Sequence, residues 1–515
     1  MRKGTEEMLI INDCPLTIFD VVRVARGRER VLLSEDAIRR ISDSRLHVER
    51  ILESQMPVYG ITTGFGELSK IFINPADRET LQRNIILSHC TGVGENLAED
   101  IVRAAILLRI NSLSKGYSGI RVLTVQKLVE LLNKDIYPAI PCKGSVGASG
   151  DLAPLAHMAA TLLGEGTVIK DGKECPGAPV LKEVGYEPIR LAGKEGLALI
   201  NGTQIMTAIA ALVCYDAKNL MKIADIAAAL SLEALQGTRT AFDPRIAMIR
   251  AHKGQAETSA NILALTDNSE IIQHHANCDK VQDAYSLRCV PQVHGASRDA
   301  LRRTLKAVDV EMNAVTDNPI VMADTGEIIS GGNFHGQPIA LVMDYLKIAI
   351  SELGNISERR INRLVDHNLS DLPAFLTAYP GVNSGYMIPQ YTAASLVSEN
   401  KVLAHPASVD SIPTSANQED HVSMGTIGAR QAEEILVNVQ NVLAIEIMIG
   451  LQGIDFLQPM LPGIGVKAVH SYIRKLVPHL NEDRIISPDI QTIHKTIIDG
   501  SLISCAEQSI GMQLE

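Results

Sequence analysis

GSVGASGDLAPLAHM, at residues 144–158, is the most informative segment of this sequence. Its first half consists of small residues and glycines, and Asp151-Leu152-Ala153-Pro154 is typical of the opening of a helix. Taken alone, the segment predicts a glycine-rich turn that Asp151 caps at a helix N-terminus. A phosphate-binding loop is excluded because no Gly-Lys-Ser or Gly-Lys-Thr follows the glycines.

The tripeptide Ala148-Ser149-Gly150 has a backbone that can react with itself. Gly150 lacks a Cβ, so its amide nitrogen can approach a carbonyl group closely. If the backbone is bent tightly enough, this nitrogen can attack the carbonyl carbon of Ala148 and close a five-membered ring. Loss of one water from the ring and a second from the Ser149 side chain would leave an exocyclic methylidene. The product would be a strong electrophile on the main chain.

The composition favours a mainly α fold. Of the 515 residues 46% are hydrophobic but only 3% are aromatic and none is Trp, so aliphatic side chains must fill the core. Close-packed helices suit such a core better than sheets do. Residues 204–236, 336–366 and 425–449 have a helical period and several apolar faces, which is typical of helices inside a bundle. We predict an α-rich N-terminal domain at 1–202, and a central bundle of long helices with a C-terminal helical segment at 203–515.

Charge and composition exclude several classes of function. The formal net charge is -11, and no basic cluster stands out beyond the interrupted stretch Arg23–Arg30, which is typical of a solvated loop, so we expect no nucleic-acid partner. Charged residues interrupt the apolar stretch Thr207–Leu232, and residues 1–10 lack a signal core, so we expect neither membrane insertion nor secretion. The eight cysteines contain no C-x-x-C pair, and the histidines form no ligand motif, so we expect reduced thiols and no metal. Together these features predict a cytoplasmic protein.

The whole of 144–158 resembles the signature of the aromatic amino acid ammonia-lyase family, whose members convert this Ala-Ser-Gly into 4-methylidene-imidazol-5-one (MIO). The resemblance continues along the chain in YGITTGFG (59–66), EGLALINGTQ (195–204), VQDAYSLR (281–288), TDNP (316–319), GGNFHGQP (331–338) and SANQEDHVSM (415–424). It implies that MIO forms from Ala148, Ser149 and Gly150 without an external cofactor. It also implies a fumarase/aspartase-like bundle of long helices, an N-terminal domain carrying the MIO loop, and a homotetramer whose active sites each draw on three subunits.

The resemblance also implies roles for individual side chains. Tyr59 resembles the family's mobile catalytic tyrosine and is the expected base, which needs electrostatic help to ionise near neutral pH. Tyr285 is the alternative base, and Arg288, three residues later, offers a planar fork for the substrate carboxylate. The remaining matches are Gln282 and Asn201, polar partners of the carboxylate and of the MIO ring, and Phe334, the aromatic residue beside the electrophile.

The expected substrate follows from two positions. Histidine-specific members of the family carry Ser-His where this chain has Ser88-His89, whereas tyrosine enzymes tend to have His-Leu and phenylalanine enzymes an apolar pair. Glu419 matches the acidic residue that histidine enzymes place against the substrate imidazole. A buried carboxylate needs a donor such as an imidazole N–H, and a phenyl ring would leave it unpaired at a cost of about 1–3 kcal/mol. These matches imply conversion of L-histidine to trans-urocanate and ammonia, the first step of histidine degradation.

Several alternatives remain open at this stage. A tyrosine or phenylalanine ammonia-lyase, or a 2,3-aminomutase of the same family, would share most of these motifs. A helical scaffold that has lost the chemistry would share the fold. Within the lyase hypothesis, either the substrate amine or its ring can attack the MIO group, and either Tyr59 or Tyr285 can be the base.

Overall fold

The structure is a computed structural model that describes residues 8–54, 56–64, 66, 70–275 and 281–515. Helices dominate it, and the strands are short, which confirms the predicted mainly α fold. Contacts divide the chain into two compact units. The first unit comprises Met1–Tyr215, Leu305–Asp344 and Pro406–Arg430, and the second comprises Asp216–Thr304, Tyr345–His405 and Gln431–Glu515. The predicted domain division between residues 202 and 203 stays a prediction.

The helices up to the middle of the chain are α1 (Ile18–Ala25), α2 (Glu35–Ser54), α3 (Arg78–His89), α4 (Glu99–Ser114), α5 (Val122–Asn133), α6 (Leu152–Leu162), α7 (Gly177–Glu183), α8 (Glu195–Ile200), α9 (Gln204–Ala234), α10 (Pro244–Arg250) and α11 (Lys253–Leu265). Those that follow are α12 (Glu270–His274), α13 (Tyr285–Arg288), α14 (Val290–Met312), α15 (Gln337–Val365), α16 (His367–Ser370), α17 (Met387–Leu403), α18 (Gly425–Phe456), α19 (Ile464–Ile473), α20 (Ser487–Ile498) and α21 (Ser501–Ile510). The long helices α9, α14, α15 and α18 each contribute residues to both units.

The strands of the described residues all belong to the first unit and form four small sheets. They are β1 (Met8–Ile11), β2 (Arg30–Leu33), β3 (Val93–Asn96), β4 (Tyr137–Pro138), β5 (Pro141–Lys143), β6 (Thr167–Lys170), β7 (Lys173–Pro176), β8 (Ile320–Val321) and β9 (Ile328–Ile329). β1 and β2 pair in parallel with Met8 opposite Arg30. The pairs β3–β5 and β8–β9 and the sheet β4–β6–β7 are antiparallel. β5 ends just before the segment 144–158, so this pairing holds the chain where that segment begins.

Two helices of the first unit support the segment 144–158. α6 continues it, and Pro154 lies in the first turn of α6, where no N–H is needed for the helix ladder. α4 is buried from Ile101 to Ser114, and it carries Arg109 into the interior. The Arg109 guanidinium donates from Nη1 to the carbonyl of Asn201 at 2.8 Å and to Oε1 of Gln204 at 2.6 Å. α4 thereby fixes the backbone that precedes α9.

The second unit contains a buried polar cluster between its long helices. Arg360 on α15 donates from Nη2 to Glu446 on α18 at 2.8 Å, and both side chains are fully buried. Ser231 and Ser357 each donate to the same carboxylate at 2.6 Å. A buried ion pair is tolerated when hydrogen bonds satisfy its remaining atoms, as they do at Glu446. Among the described residues, α18 is the one helix long and apolar enough to cross a membrane, but 78% of its most apolar window is buried inside the protein.

Candidate active site

The backbone around Ser149 is held by a second glycine-containing turn. Gly202 donates its N–H to the Ser149 carbonyl at 3.2 Å, and Asp151 donates its N–H to the Gly202 carbonyl at 2.7 Å. The two bonds form a parallel bridge between Gly150 and Gly202. The tripeptide is therefore fixed to the turn that precedes α9.

Neither glycine of this bridge has room for a side chain. Gly150 has a φ of +71°, and a Cβ at this position would lie 2.0 Å from the Gly202 carbonyl oxygen. Gly202 has a φ of +145°, and a Cβ there would lie 2.6 Å from Arg109 Nη1. Within the described part of the chain no hydrogen bond engages the Gly150 N–H. A bent backbone with an unengaged amide nitrogen is what ring closure onto Ala148 requires.

Asp151 holds the other side of the loop. Its buried carboxylate accepts hydrogen bonds from Thr426 Oγ1 at 2.5 Å, from the Met206 N–H at 2.9 Å and from Ser145 Oγ at 3.2 Å. Burial raises the pKa of Asp151 to about 6, although these donors act in the opposite direction. The carboxylate thus ties the loop to the first turns of α9 and α18.

A cavity of about 850 Å³ opens next to this loop in the first unit. Its lining includes seven of the residues that the sequence singled out: Tyr59, His89, Ala148, Ser149, Asn201, Phe334 and Glu419. They come from segments up to 360 positions apart in the chain (59 to 419), and the fold brings them to one place. Their individual roles stay predictions.

Glu419 reaches the reactive loop directly. Its Oε1 accepts a long hydrogen bond of 3.4 Å from the Ser149 hydroxyl, and its Oε2 accepts one of 2.7 Å from Thr414 Oγ1. The main chains of Thr414 and Glu419 also pair, with N–O distances of 3.0 and 3.3 Å. Between them, Ser415, Ala416 and Asn417 have φ values of 52°, 52° and 66°, which are uncommon for residues other than glycine. Strained backbone of this kind persists where the surrounding structure holds it in place.

His89 ends α3 and is half-buried beside the cavity. Ser88 Oγ donates to the Ile85 carbonyl at 3.2 Å and lies 3.1 Å from His89 Nδ1. Because the hydroxyl proton is already used, we assign Nδ1 of His89 as the protonated nitrogen and Nε2 as the acceptor. Burial lowers the pKa of His89, while the Ile85 carbonyl and the charge of Glu419 act in the opposite direction. The imidazole is therefore neutral near pH 7.

Asn201 is oriented by a buried ion pair. Its Nδ2 donates to the Asn318 carbonyl at 3.1 Å and to Asp317 Oδ1 at 3.3 Å. Asp317 Oδ2 in turn accepts from Lys194 Nζ at 2.8 Å, and neither side chain of this pair is exposed. Both amide hydrogens of Asn201 are thus committed, so its carbonyl oxygen is the group that can meet a donor in the cavity. Lys194 and Thr414 lie just outside the motifs that carry the family resemblance, and Asp317 lies within TDNP (316–319), but the sequence alone predicted no role for these three side chains.

The loop of Tyr59 is held by local hydrogen bonds. Thr62 Oγ1 donates to the Met56 carbonyl at 2.6 Å, and the Val58 N–H donates to Thr62 Oγ1 at 2.8 Å. The Tyr59 hydroxyl accepts a bond of 3.4 Å from the Gly66 N–H. A long bond to a main-chain donor leaves the phenol proton available for other contacts.

Gln282, Tyr285 and Arg288 belong to the second unit and are not among the residues that line the cavity. The Arg288 guanidinium carbon lies 4.5 Å from the centroid of the Tyr285 ring, a cation–π contact. Tyr285 is 70% exposed. The Arg288 Nε is buried without a hydrogen-bond partner in the described residues, and an unsatisfied guanidinium N–H is a ready donor for a carboxylate.

Comparison with known proteins identifies the family. A sequence model of the aromatic amino acid lyases matches residues 16–475. The chain therefore belongs to the aromatic amino acid lyase family, which confirms the predicted resemblance. This family depends in general on an MIO group.

Individual relatives cover nearly the whole chain. The histidine ammonia-lyase of Alkaliphilus oremlandii is 53% identical over 505 residues, which cover 98% of this chain and 99% of the relative. The crystal structure of histidine ammonia-lyase from Trypanosoma cruzi is 43% identical, with a TM-score of 0.91 and coverage of 98% and 96%. Tyrosine aminomutase from Streptomyces globisporus is 38% identical, with a TM-score of 0.94 and coverage of 99% and 100%.

Proposed function

We propose that this chain eliminates ammonia from L-histidine to give trans-urocanate, with an MIO electrophile made from Ala148, Ser149 and Gly150. The observation that carries the proposal is that Ala148 and Ser149 of this tripeptide line one cavity with His89 and Glu419. The relatives named histidine ammonia-lyase, at 53% and 43% identity, support the same substrate.

The loop fits the group that it would form. The positive φ of Gly150, the close approach of Gly202 and the unengaged Gly150 N–H are the features that ring closure needs. No external cofactor is required, because the electrophile is built from the chain itself. When formed, the group supplies an electrophilic methylidene carbon that assists the departure of ammonia from the substrate.

The other cavity residues are proposed to bind the substrate and to remove its β-proton. Glu419 and His89 Nε2 are acceptors, which suit an imidazole N–H and leave a phenyl ring without a partner for the carboxylate. Tyr59 is the proposed base that takes the β-proton, with Tyr285 as the alternative. Asn201 presents its carbonyl oxygen to a substrate donor, and Phe334 packs beside the electrophile.

Arg288 and Gln282 are proposed to bind the substrate carboxylate from the second unit. We propose a homotetramer in which each active site takes residues from three subunits, as in the resemblance described above. Co-expressing Ser149→Ala and Tyr285→Phe chains in equal amounts tests this sharing, provided that each variant is inactive when it is expressed alone. If the two residues come from different subunits, about one quarter of the sites regain both native residues. A mixture without activity would mean that one subunit supplies both.

The substrate is tested by incubating the protein with L-histidine and following the ultraviolet absorbance of urocanate. L-tyrosine and L-phenylalanine, assayed as coumarate and cinnamate, and chromatography of β-amino acids test the lyase and aminomutase alternatives in the same preparation. Turnover of tyrosine but not histidine would overturn the substrate. Mass spectrometry of the peptide around Ser149 tests the electrophile, since two missing waters indicate MIO and an intact peptide indicates a scaffold.

We further propose that the protein acts in the cytoplasm on this small substrate, without membrane or nucleic-acid partners. The seven cysteines in the described part of the chain are all unpaired, which suits a reducing compartment. Fractionation of source cells, with urocanate formation as the marker, tests this location. Activity in the membrane or secreted fraction would contradict it.

A further inference from the structure

We propose that Arg109 is a positioning residue that increases the reactivity of the electrophile through the peptide group between Asn201 and Gly202. This inference rests on the proposed function in requiring that MIO forms at Ser149. Its basis is two hydrogen bonds made by that one peptide group. Arg109 Nη1 donates to the Asn201 carbonyl at 2.8 Å, and the Gly202 N–H donates to the Ser149 carbonyl at 3.2 Å. All four residues belong to the first unit.

The Ser149 carbonyl is the group on which negative charge would develop. Ring closure removes the oxygen of Ala148 as water, so the Ser149 carbonyl keeps its oxygen and is conjugated with the new Cα=Cβ double bond. When a nucleophile adds to Cβ, its electron pair forms the new bond. The π pair of Cα=Cβ then moves toward the carbonyl carbon, and the π pair of the carbonyl moves to its oxygen. A donor fixed at that oxygen, here the Gly202 N–H, lowers the barrier to addition.

Arg109 strengthens this donor. A peptide group whose carbonyl oxygen is bound by a cation is more polarised, so its N–H is a stronger hydrogen-bond donor. The Arg109 side chain is fully buried, and in surroundings of low dielectric constant its charge acts more strongly than it would in water. Burial lowers the pKa of Arg109 to about 10, with Asp317 acting in the opposite direction, so the guanidinium stays charged at neutral pH.

The hydrogen bonds of Arg109 do not explain why this buried residue carries a charge. In the described part of the chain its two acceptors, the Asn201 carbonyl and Gln204 Oε1, are both neutral. Its Nε and Nη2 are buried without a hydrogen-bond partner there, and Asp317 is hydrogen-bonded to Lys194 instead. A buried cation is costly unless an anion is bonded to it, and a neutral donor could hold the same carbonyl. Costly groups of this kind are expected where function requires them.

Arg109 would act on the reaction without contacting the substrate. It is not among the described residues that line the cavity, and α4 is buried from Ile101 to Ser114. A Cβ at Gly202 would lie 2.6 Å from Arg109 Nη1, so no side chain separates the guanidinium from the peptide group. The effect of Arg109 should therefore appear with any nucleophile that reaches the electrophile, and not only with histidine.

The test is the reaction of the purified protein with hydroxylamine, a small nucleophile that is uncharged at neutral pH. Mass spectrometry of the 144–158 peptide gives the number of waters lost and the rate at which the adduct forms. Removing a donor that directly contacts the charged oxygen costs about 100-fold to 1,000-fold. Because Arg109 acts through one peptide group, we expect a smaller loss, of about 10-fold, in Arg109→Met. Arg109→Lys keeps the charge and should react at nearly the native rate.

Gln204 offers a matched pair of variants that leave Arg109 in place. Gln204→Glu keeps the size of the side chain and puts a carboxylate on the guanidinium, so the adduct rate should fall by a similar factor. Gln204→Met removes the same hydrogen bond without adding a charge and should react at nearly the native rate. If Arg109 only held the backbone in place, the two Gln204 variants would behave alike. This pair decides the question if Arg109→Met does not fold or does not lose both waters.

The outcomes separate the two proposals. Two waters lost in every chain, with slow adduct formation only in Arg109→Met and Gln204→Glu, supports the inference. Two waters lost in Gln204→Glu with a native adduct rate overturns it and leaves the lyase proposal intact, and so does an equal loss of rate in both Gln204 variants. An intact 144–158 peptide in the native chain overturns the proposed function itself.

Discussion

Replacing Asp317 by Asn should destabilise the first unit more than any exposed charge substitution. The change keeps the shape of the side chain but removes the charge that faces Lys194 at 2.8 Å. Burial lowers the pKa of Lys194, and Asp317 is the group that opposes this effect, while Arg109 adds to it. Without Asp317 a buried ammonium group would remain beside another buried cation.

The expected loss of stability follows from the burial of this pair. Both side chains have zero exposure, and removing one partner of such a pair costs about 3–5 kcal/mol. Deprotonation of Lys194 would bring the loss toward the lower figure. Since about 1.4 kcal/mol is a factor of ten, the unfolding equilibrium should shift by roughly 100-fold or more. The Asn201 amide would also lose its charged acceptor, so turnover should fall with stability.

Urea unfolding followed by circular dichroism measures the change, and Lys194→Met completes a double-mutant cycle. The double variant should lose clearly less stability than the sum of the two single variants, because the residues contact each other. Glu183→Gln is the control, since it breaks the exposed Lys170–Glu183 pair of 2.6 Å and should change nothing measurable. If Asp317→Asn unfolds at the same urea concentration as Glu183→Gln, the reasoning about the buried pair is refuted.

Three further outcomes are expected. Ser149→Ala should reduce urocanate formation by at least about 1,000-fold with an unchanged circular dichroism spectrum, because the electrophile contributes most of the chemistry; native turnover in this variant would contradict the MIO proposal. The double substitution Ser88→His with His89→Leu should lower the preference for histidine over tyrosine by about 10-fold or more, as expected for a lost hydrogen bond to the ring. An unchanged ratio of kcat/KM values would remove residues 88 and 89 from the specificity pocket. Burial raises the pKa of Glu233 from 4.5 to about 7, so the folded state keeps a proton that the unfolded state loses, and stability should fall as pH rises between these values. Glu233→Gln should flatten this dependence in urea unfolding and be more stable at pH 8 by up to roughly 3 kcal/mol; parallel pH profiles would show that the carboxyl group is not responsible.

The long helices could be predicted because their apolar periodicity is a local property of the sequence. The segments 204–236 and 336–366 correspond to α9 and α15 within two residues at each end. The third segment was expected to end at Ile449, but α18 continues to Phe456. Gly450 and Gly453 follow soon after Ile449, and glycines in a sequence favour the end of a helix, which is why the predicted end is too early. In the structure a Cβ at these positions would approach Leu230 and Ala234 on α9 to 3.3 and 3.0 Å, so the glycines permit close helix packing.

Site residues that lie within a sequence motif could be predicted. Site residues whose role depends on a tertiary contact were harder to predict. His89, Asn201 and Glu419 lie in recognisable strings, and all three line the cavity. Lys194 and Thr414 show nothing unusual in the sequence, because a lysine or threonine in a polar context is normally exposed. Lys194 is buried because it pairs with Asp317, which lies far along the chain. Thr414 contacts Glu419 across a tight loop.

The two reactions proposed for this chain differ in the parts of the molecule that they need. The proposed ring closure and dehydration take place in the tripeptide 148–150, which the turn at Gly202 and the carboxylate of Asp151 hold in place within the first unit. Turnover of histidine additionally requires a group for the substrate carboxylate, and the proposed group, Arg288, belongs to the second unit. A subunit with a defective second unit should therefore still build its electrophile. This separation is why the mixture of Ser149→Ala and Tyr285→Phe chains can regain activity, because the Tyr285→Phe chain brings a finished electrophile and the Ser149→Ala chain an intact second unit.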